Sequence, residues 1–191
     1  MTAATPAAGG TGLIRPERPA DFAAVRALLT AAFDDGGEVA DGVERIRASW
    51  IYRPELSLVA IDAETAERTS GSVAGFVMVT GCTVTGPAGS RTVAMLTPLA
   101  VAPDRQRRGR GATLVRSVLE LADRAGEPFV VLEGSPHYYG RFGFEDARPH
   151  GIRLTLPDWA PPEAGQVRLL SSYDAGDRSL RGAIGYPAVY G

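Results

Sequence analysis

The chain contains no lysine; all twenty of its basic residues are arginine. A Walker-type phosphate loop needs its Lys, and a pyridoxal phosphate enzyme needs one to form the Schiff base, so both classes are excluded. Cysteine is nearly absent as well, and the lone Cys82 can form no internal disulfide. The two histidines, His137 and His150, stand far from that cysteine in sequence, which argues against a structural zinc site. No Gly-x-Ser-x-Gly elbow occurs and no His neighbours Cys82, so covalent nucleophilic catalysis has no visible constellation. Uninterrupted apolar runs fall well short of the ~20 residues a membrane helix needs. Residues 1–12 lack the basic and apolar regions of a signal peptide, and a cytoplasmic location is expected. With a formal net charge of −2, bulk electrostatics do not favour nucleic acid.

What is present points to one domain. A length of 191 residues with a 45% hydrophobic fraction supports a full core, preceded by a small, uncharged tail over 1–12 that reads as disordered. The chain is organised around Arg105 to Ala112, the run Arg-Gln-Arg-Arg-Gly-Arg-Gly-Ala. Thr92 to Val101 upstream has the composition of a strand, closed by Pro103-Asp104. Downstream, Leu114, Val115, Val118, Leu119 and Ala122 repeat at helical spacing up to Gly126. The first amides of such a helix have no intrahelical partner and carry the positive end of its dipole, so an anion is the natural ligand. Gly109 and Gly111 lack Cβ, which lets backbone amides approach an oxyanion closely. Two or three charge-assisted hydrogen bonds, at about 1.5–3 kcal/mol each, suffice to hold a pyrophosphate.

The remaining elements follow from pattern. A short strand at Leu13 to Arg15 leads to a helix from about Pro19 that places Phe22, Val25, Leu28, Leu29, Ala32 and Phe33 on one face. Asp34 to Gly37 breaks it. A second amphipathic helix, Val39 to about Tyr52, is expected to bury Val43, Ile46 and Trp50. Strands follow at Glu55 to Asp62 and Val73 to about Val84, separated by a polar loop over Ala63 to Gly71. The turn Gly86 to Ser90 makes the next two strands antiparallel neighbours. Pro98 cannot donate to a ladder, which implies a bulge or an edge. Phe129 to Leu132 suits a buried strand parallel to the one before Arg105, reached by a right-handed crossover. Ser135 to Phe142 reads as a short helix, and strand candidates alternate with turns from Gly143 onward.

Two motifs then coincide. Gln106-Arg107-Arg108-Gly109-Arg110-Gly111 has the form Gln/Arg-x-x-Gly-x-Gly/Ala, and Tyr138-Tyr139-Gly140-Arg141-Phe142-Gly143-Phe144 sets an aromatic-Tyr pair before Gly-Phe. With a strand between them, the chain resembles the GNAT superfamily of acetyl-CoA-dependent N-acetyltransferases, in particular its YhbS-like branch, from about Leu13 to the C-terminus. The Asn that many members carry near the last helix is missing; Gly134-Ser135-Pro136 stands there. The resemblance implies an α+β fold with a central, mixed, mostly antiparallel twisted sheet of about seven strands. Helices would flank both faces, and the sheet would splay between two parallel central strands. It also implies that acetyl-CoA is the co-substrate and that no metal is needed. Backbone groups of Leu99, Ala100 and Val101 would bond the pantetheine arm, and Gln106, Arg107, Arg108, Gly109, Arg110, Gly111 and Ala112 would hold the pyrophosphate. Ser135 and Tyr138 would add cofactor contacts.

The implied reaction is direct attack of an amine on the thioester. An amine of pKa ≈ 10.4 is unprotonated in roughly one molecule in 2,500 at pH 7, so a base is required. Glu38 is the leading candidate, with Asp34, Asp35 and Glu133 as others. Tyr139, as a neutral phenol, would be the general acid to the departing thiolate. The expected partner is an amine acceptor, a small molecule or a peptide, with no nucleic acid and no membrane; homodimerisation stays open. Tyr186 and Tyr190 are candidates for a pocket wall. Two readings compete: a non-catalytic acyl-CoA sensor, and a phosphate or nucleic-acid binder acting through Arg105 to Arg110. A Rossmann dinucleotide site is rejected, because Leu114 stands where a third glycine is needed.

Overall fold

The computed structural model describes residues 13–62 and 73–186; the tail 1–12, the loop read over 63–71 and Tyr190 lie outside them. In chain order the elements are β1 (Leu13–Pro16), α1 (Phe22–Phe33), α2 (Glu38–Arg47), β2 (Ser57–Ile61), β3 (Val73–Gly86), β4 (Gly89–Val101) and α3 (Arg110–Arg124). There follow β5 (Phe129–Glu133), α4 (Pro136–Tyr139), β6 (Glu145–Asp146), β7 (Ile152–Arg153), β8 (Gly165–Leu169) and β9 (Gly182–Gly185). All nine described strands form one sheet, with the path β1-β2-β3-β4-β5-β8-β6 accounting for seven and β7 and β9 joined at its side. The main path thus has the seven strands that the resemblance implies, and β7 and β9 add two more beside it.

β3 is buried along nearly its whole length because both faces are covered. Its alternation assigns them: Val77 and Val79 pack with Leu114, Val115 and Val118 of α3, whereas Phe76 and Met78 pack with Val25, Leu29, Val43 and Ile46 of α1 and α2. Leu114, Val115 and Val118 are fully buried, worth roughly 1.5–3 kcal/mol apiece in apolar transfer. Further along the same face as α1 and α2, Cys82, Val84, Val93 and Met95 are covered by Ile152, Leu180 and Ile184 from the C-terminal segment.

One helix differs from its pattern. α2 ends at Arg47, where the Ser49 amide and hydroxyl both bond the Ile46 carbonyl at 2.9 and 2.7 Å. The chain then turns, so Ile51 takes the buried place and Trp50 is left 76% exposed. Phe33, at the end of α1, is likewise on the surface at 40%.

The site is positioned by β4. It pairs with β3 throughout, but the register jumps where Val77 faces Leu99 and Val79 faces Leu96, so Thr97-Pro98 forms the bulge anticipated from Pro98. On its other side β4 pairs in parallel with β5 only at Ala94 with Val130 and Met95 with Val131. Beyond Met95 the two strands part, and the edge of β4 from Leu96 to Val101 is open among the described residues.

Candidate active site

The open edge of β4 runs directly into the first turn of α3. A tight turn carries the chain round, with Arg107 at φ 59° and Gly109 at φ 80°, both in the left-handed region. Gly109 faces open space where a Cβ would go, so its requirement is backbone conformation. Gly111 serves a different end: a Cβ there would lie 2.8 Å from the Tyr138 hydroxyl and 3.5 Å from Val101 Cγ2. Its missing side chain makes room for Tyr138. The Gln106 side-chain Nε2 donates to the Val101 carbonyl at 3.2 Å and ties the turn to the strand end.

The first hydrogen bond of α3 runs from the Thr113 amide to the Gly109 carbonyl at 3.0 Å. The preceding amides of Arg110, Gly111 and Ala112 therefore have no acceptor among the described residues, at the positive end of the helix dipole. Beneath them the Arg110 side chain is buried and paired with Asp62, which also takes Arg105 Nη1 at 2.8 Å. Arg110 Nε and Nη1 are buried without an acceptor among the described residues. Two guanidinia thus share one carboxylate under the turn, and the local field favours an anion.

These residues enclose a cleft of about 450 Å³, lined by Leu99, Val101, Gln106, Arg107, Gly109, Arg110, Gly111, Ala112 and Tyr138, together with Arg105 and Arg141. Nine of the expected contact residues are therefore brought together. Three are not. Ala100 stands opposite Phe76 in the same phase as Ala102, whose amide bonds the Ala74 carbonyl at 3.0 Å. The alternation of antiparallel pairing spends the backbone of Ala100 on β3 and leaves Leu99 and Val101 facing the gap. Arg108 is exposed and off the cleft wall. Ser135 is also off the wall; its carbonyl accepts the amides of Tyr138 and Tyr139, both at 3.0 Å, and starts α4.

The paired tyrosines take different places. Tyr138 forms the cleft wall, under the Arg141 guanidinium at 4.2 Å from its ring centre. Tyr139 turns inward to Phe144, ring centres 5.7 Å apart, and lies against Gly134, where a Cβ would come within 2.5 Å of its ring. Burial, and secondarily Tyr138, pushes the Tyr139 phenol up to about 12. Its hydroxyl makes no hydrogen bond among the described residues and is not one of their buried unpartnered atoms, so the ring is packed while the oxygen stays accessible. Arg141 is a cleft residue that sequence patterning does not single out; its one signal is its place inside the aromatic motif.

A second cleft, of about 510 Å³, opens on the α2 side of the same bulge, lined by Asp35, Glu38, Val39, Asp41, Thr97 and Pro98 among others. The carboxylates there are not equivalent. Asp35 accepts the amides of Gly37 and Val39, both at 2.9 Å, and caps α2; the Val39 bond first of all holds its carboxyl below the usual range. Asp41 pairs with Arg26 at 2.5 Å. Asp34 ends α1 at φ 49° and is off this wall. Glu38 remains, exposed on the first turn of α2. Glu133, at the end of β5, accepts from the Tyr186 hydroxyl. No group of residues suited to a metal ion occurs among the described residues, and no described helix is long and apolar enough to cross a membrane.

Comparison with known proteins gives this arrangement a family. Residues 13–147 match the model for an acetyltransferase (GNAT) domain. The uncharacterised N-acetyltransferase YhbS of Escherichia coli K12 is 35% identical over 175 residues, 91% of this chain and 93% of its own. The uncharacterised N-acetyltransferase YjhQ of the same organism is 34% identical over 165 residues, 86% of each chain. Among solved structures, E. coli YhbS in complex with CoA superposes with a TM-score of 0.76 at 30% identity, covering 99% of this chain and 96% of that one. A GNAT acetyltransferase from Brucella melitensis in complex with acetyl-CoA gives 0.71 at 27% identity, over 94% and 97%. An open strand edge leading into unpaired helix amides, in a sheet of this order and with these relatives, has one reading: the chain belongs to the GNAT acetyltransferase family and is an acyltransferase.

Proposed function

We propose that the protein transfers the acetyl group of acetyl-CoA to an amine, with the cofactor laid along β4. The pyrophosphate sits on the amides of Arg110, Gly111 and Ala112, and the pantetheine arm bonds the backbone of Leu99 and Val101. Its thioester then lies where β4 and β5 part, beside the Thr97-Pro98 bulge. The amine, a small molecule or a peptide terminus, enters from the cleft under α2. What carries the reading is the continuity of β4's free edge with the unpaired first turn of α3.

The amine nitrogen attacks the thioester carbonyl, the carbon–sulfur bond breaks, and one amine proton must leave. Glu38 is the carboxylate in the acceptor cleft not committed to a cap or an ion pair among the described residues, and it takes that proton directly or through water. Tyr139 acts on the sulfur. A phenol near 12 against a thiol near 8.5 is uphill by about 5 kcal/mol for full proton transfer. Tyr139 therefore donates a hydrogen bond to the developing thiolate, and the proton on the released thiol comes from solvent.

The test is a panel of primary amines incubated with acetyl-CoA while free thiol is followed, alongside calorimetry with CoA. Amine-dependent thiol release and a CoA binding heat are expected. Binding without release for any amine would instead favour a non-catalytic acyl-CoA sensor, and absence of binding would remove the whole reading.

A further inference from the structure

Arg141 belongs to two cavities at once. It walls the cleft at the start of α3 and also a groove of about 400 Å³ on the outer side of that helix, with Arg116, Phe142 and Arg168. The Arg141 guanidinium stands 4.2 Å from the Tyr138 ring centre and 5.0 Å from that of Phe142, and Arg116 stands 5.4 Å from the same Phe142 ring. Stacking fixes both guanidinia while leaving their N–H edges open. Neither has a carboxylate at ion-pair distance among the described residues. The acidic residues of the groove are otherwise occupied: Glu120 lies 3.7 Å from Arg124, and Asp123 accepts the Ser171 amide and hydroxyl at 2.8 and 2.6 Å. Arg168 adds a third positive charge against Gly143.

The direction of the cofactor gives these charges a ligand. If the pantetheine arm runs from the α3 amides along Leu99 toward the bulge, the nucleotide half must leave the pyrophosphate on the opposite side. Arg141 stands at that exit. Beyond the pyrophosphate, coenzyme A carries one further anion, the 3′-phosphate of its ribose, and a planar guanidinium fork suits a phosphate. We propose that Arg141, supported by Arg116, binds the 3′-phosphate and makes the enzyme selective for coenzyme A over its 3′-dephospho form. The inference rests on the cofactor seat proposed above.

The experiment compares acetyl-CoA with 3′-dephospho-acetyl-CoA by calorimetry on the full chain. The wild type should bind acetyl-CoA at least about tenfold more tightly, the lower end of what a charged hydrogen bond contributes. Arg141→Gln should bring the two ligands to within about threefold, by weakening acetyl-CoA, and Arg116→Gln should narrow the gap less. Equal wild-type affinities would overturn the inference and leave the cofactor seat standing. Equal weakening of both ligands by Arg141→Gln would also overturn it, assigning Arg141 to the pyrophosphate. Binding of neither ligand would remove the seat and the inference with it. The wild-type comparison needs no variant, so a poorly folding substitution does not shield the proposal.

Discussion

Gly109 and Gly111, two residues apart, answer to different forces, and alanine separates them. At Gly109 an alanine meets open space but must hold φ 80°, a left-handed strain of about 1–2 kcal/mol. Gly109→Ala should lower the midpoint of urea unfolding. Gly111 lies within α3, where alanine gains about 0.5–1 kcal/mol over glycine, yet its methyl would press on the Tyr138 hydroxyl. Gly111→Ala should therefore weaken CoA about tenfold by calorimetry while the unfolding midpoint holds or rises; a fall in both would place the clash in the fold instead. For Tyr139 the sign of the pH effect follows from the raised value of about 12. The unfolded phenol titrates near 10, so the fold favours the neutral form. That stability is whole below about pH 10 and is lost between there and about pH 12. The unfolding free energy of the wild type should fall relative to Tyr139→Phe only in that window. The rate should show no basic limb from Tyr139 below about pH 10, and a limb near pH 8 abolished by Tyr139→Phe would refute the assignment.

At the scale of elements, α1, α2 and β2 meet on a buried ion pair. Glu17 accepts from Arg47 Nη2 at 2.6 Å, the Tyr52 hydroxyl at 2.9 Å and the Ser57 hydroxyl at 2.6 Å, and Arg47 lies 3.9 Å over the Phe22 ring. The Glu17 and Arg47 side chains are 0% and 5% exposed. Removing Glu17 takes the carboxylate from the Nη2 side of Arg47 and leaves the half-exposed Glu44 on Nη1 at 3.2 Å, so Glu17→Ala should cost about 3 kcal/mol by urea denaturation, the lower end for a broken buried pair. A loss under 1 kcal/mol would mean that Glu44 alone, or water, satisfies Arg47. Nothing in the sequence announced this junction, because its members come from three elements and from the segments that follow β1 and α2, whose approach only the tertiary fold decides. The strand-turn-helix unit around Arg105 to Ala112 was legible for the opposite reason: its period, its glycines and its anion-binding amides are all local. Periodicity overextends α2 because Trp50 continues the spacing of Val43 and Ile46, while the Ser49 bonds that end the helix leave no periodic trace. β6 and β7, of two residues each, gain their ladder only from β8 and β9. Ala100 differs from what the resemblance implies because a motif marks the strand but not which edge each of its backbone groups faces.

Across the described residues the sheet is two blocks, β1 to β4 with β9 and β7 on β3, and β5-β8-β6, whose direct seam is the pair of residue contacts between β4 and β5. A cofactor in the gap would be gripped at one end by helix amides and along its arm by strand backbone. The two grips predict separable hydrogen-exchange signatures. Inorganic pyrophosphate should slow exchange only at Arg110, Gly111 and Ala112, whose amides it caps. CoA should slow those three and, in addition, whichever of the Leu99 and Val101 amides face the gap, leaving Ala100 unchanged because β3 already holds it. At about 100 times its dissociation constant CoA adds about 2.7 kcal/mol of stability. For a chain of this size that is a rise in Tm of roughly 5–10 °C. The exchange pattern is the sharper measure, since mass action raises Tm for a ligand bound anywhere. Protection confined to the α3 amides with CoA would mean that the arm does not lie along β4, and the placing of the thioester at the Thr97-Pro98 bulge would fall with it.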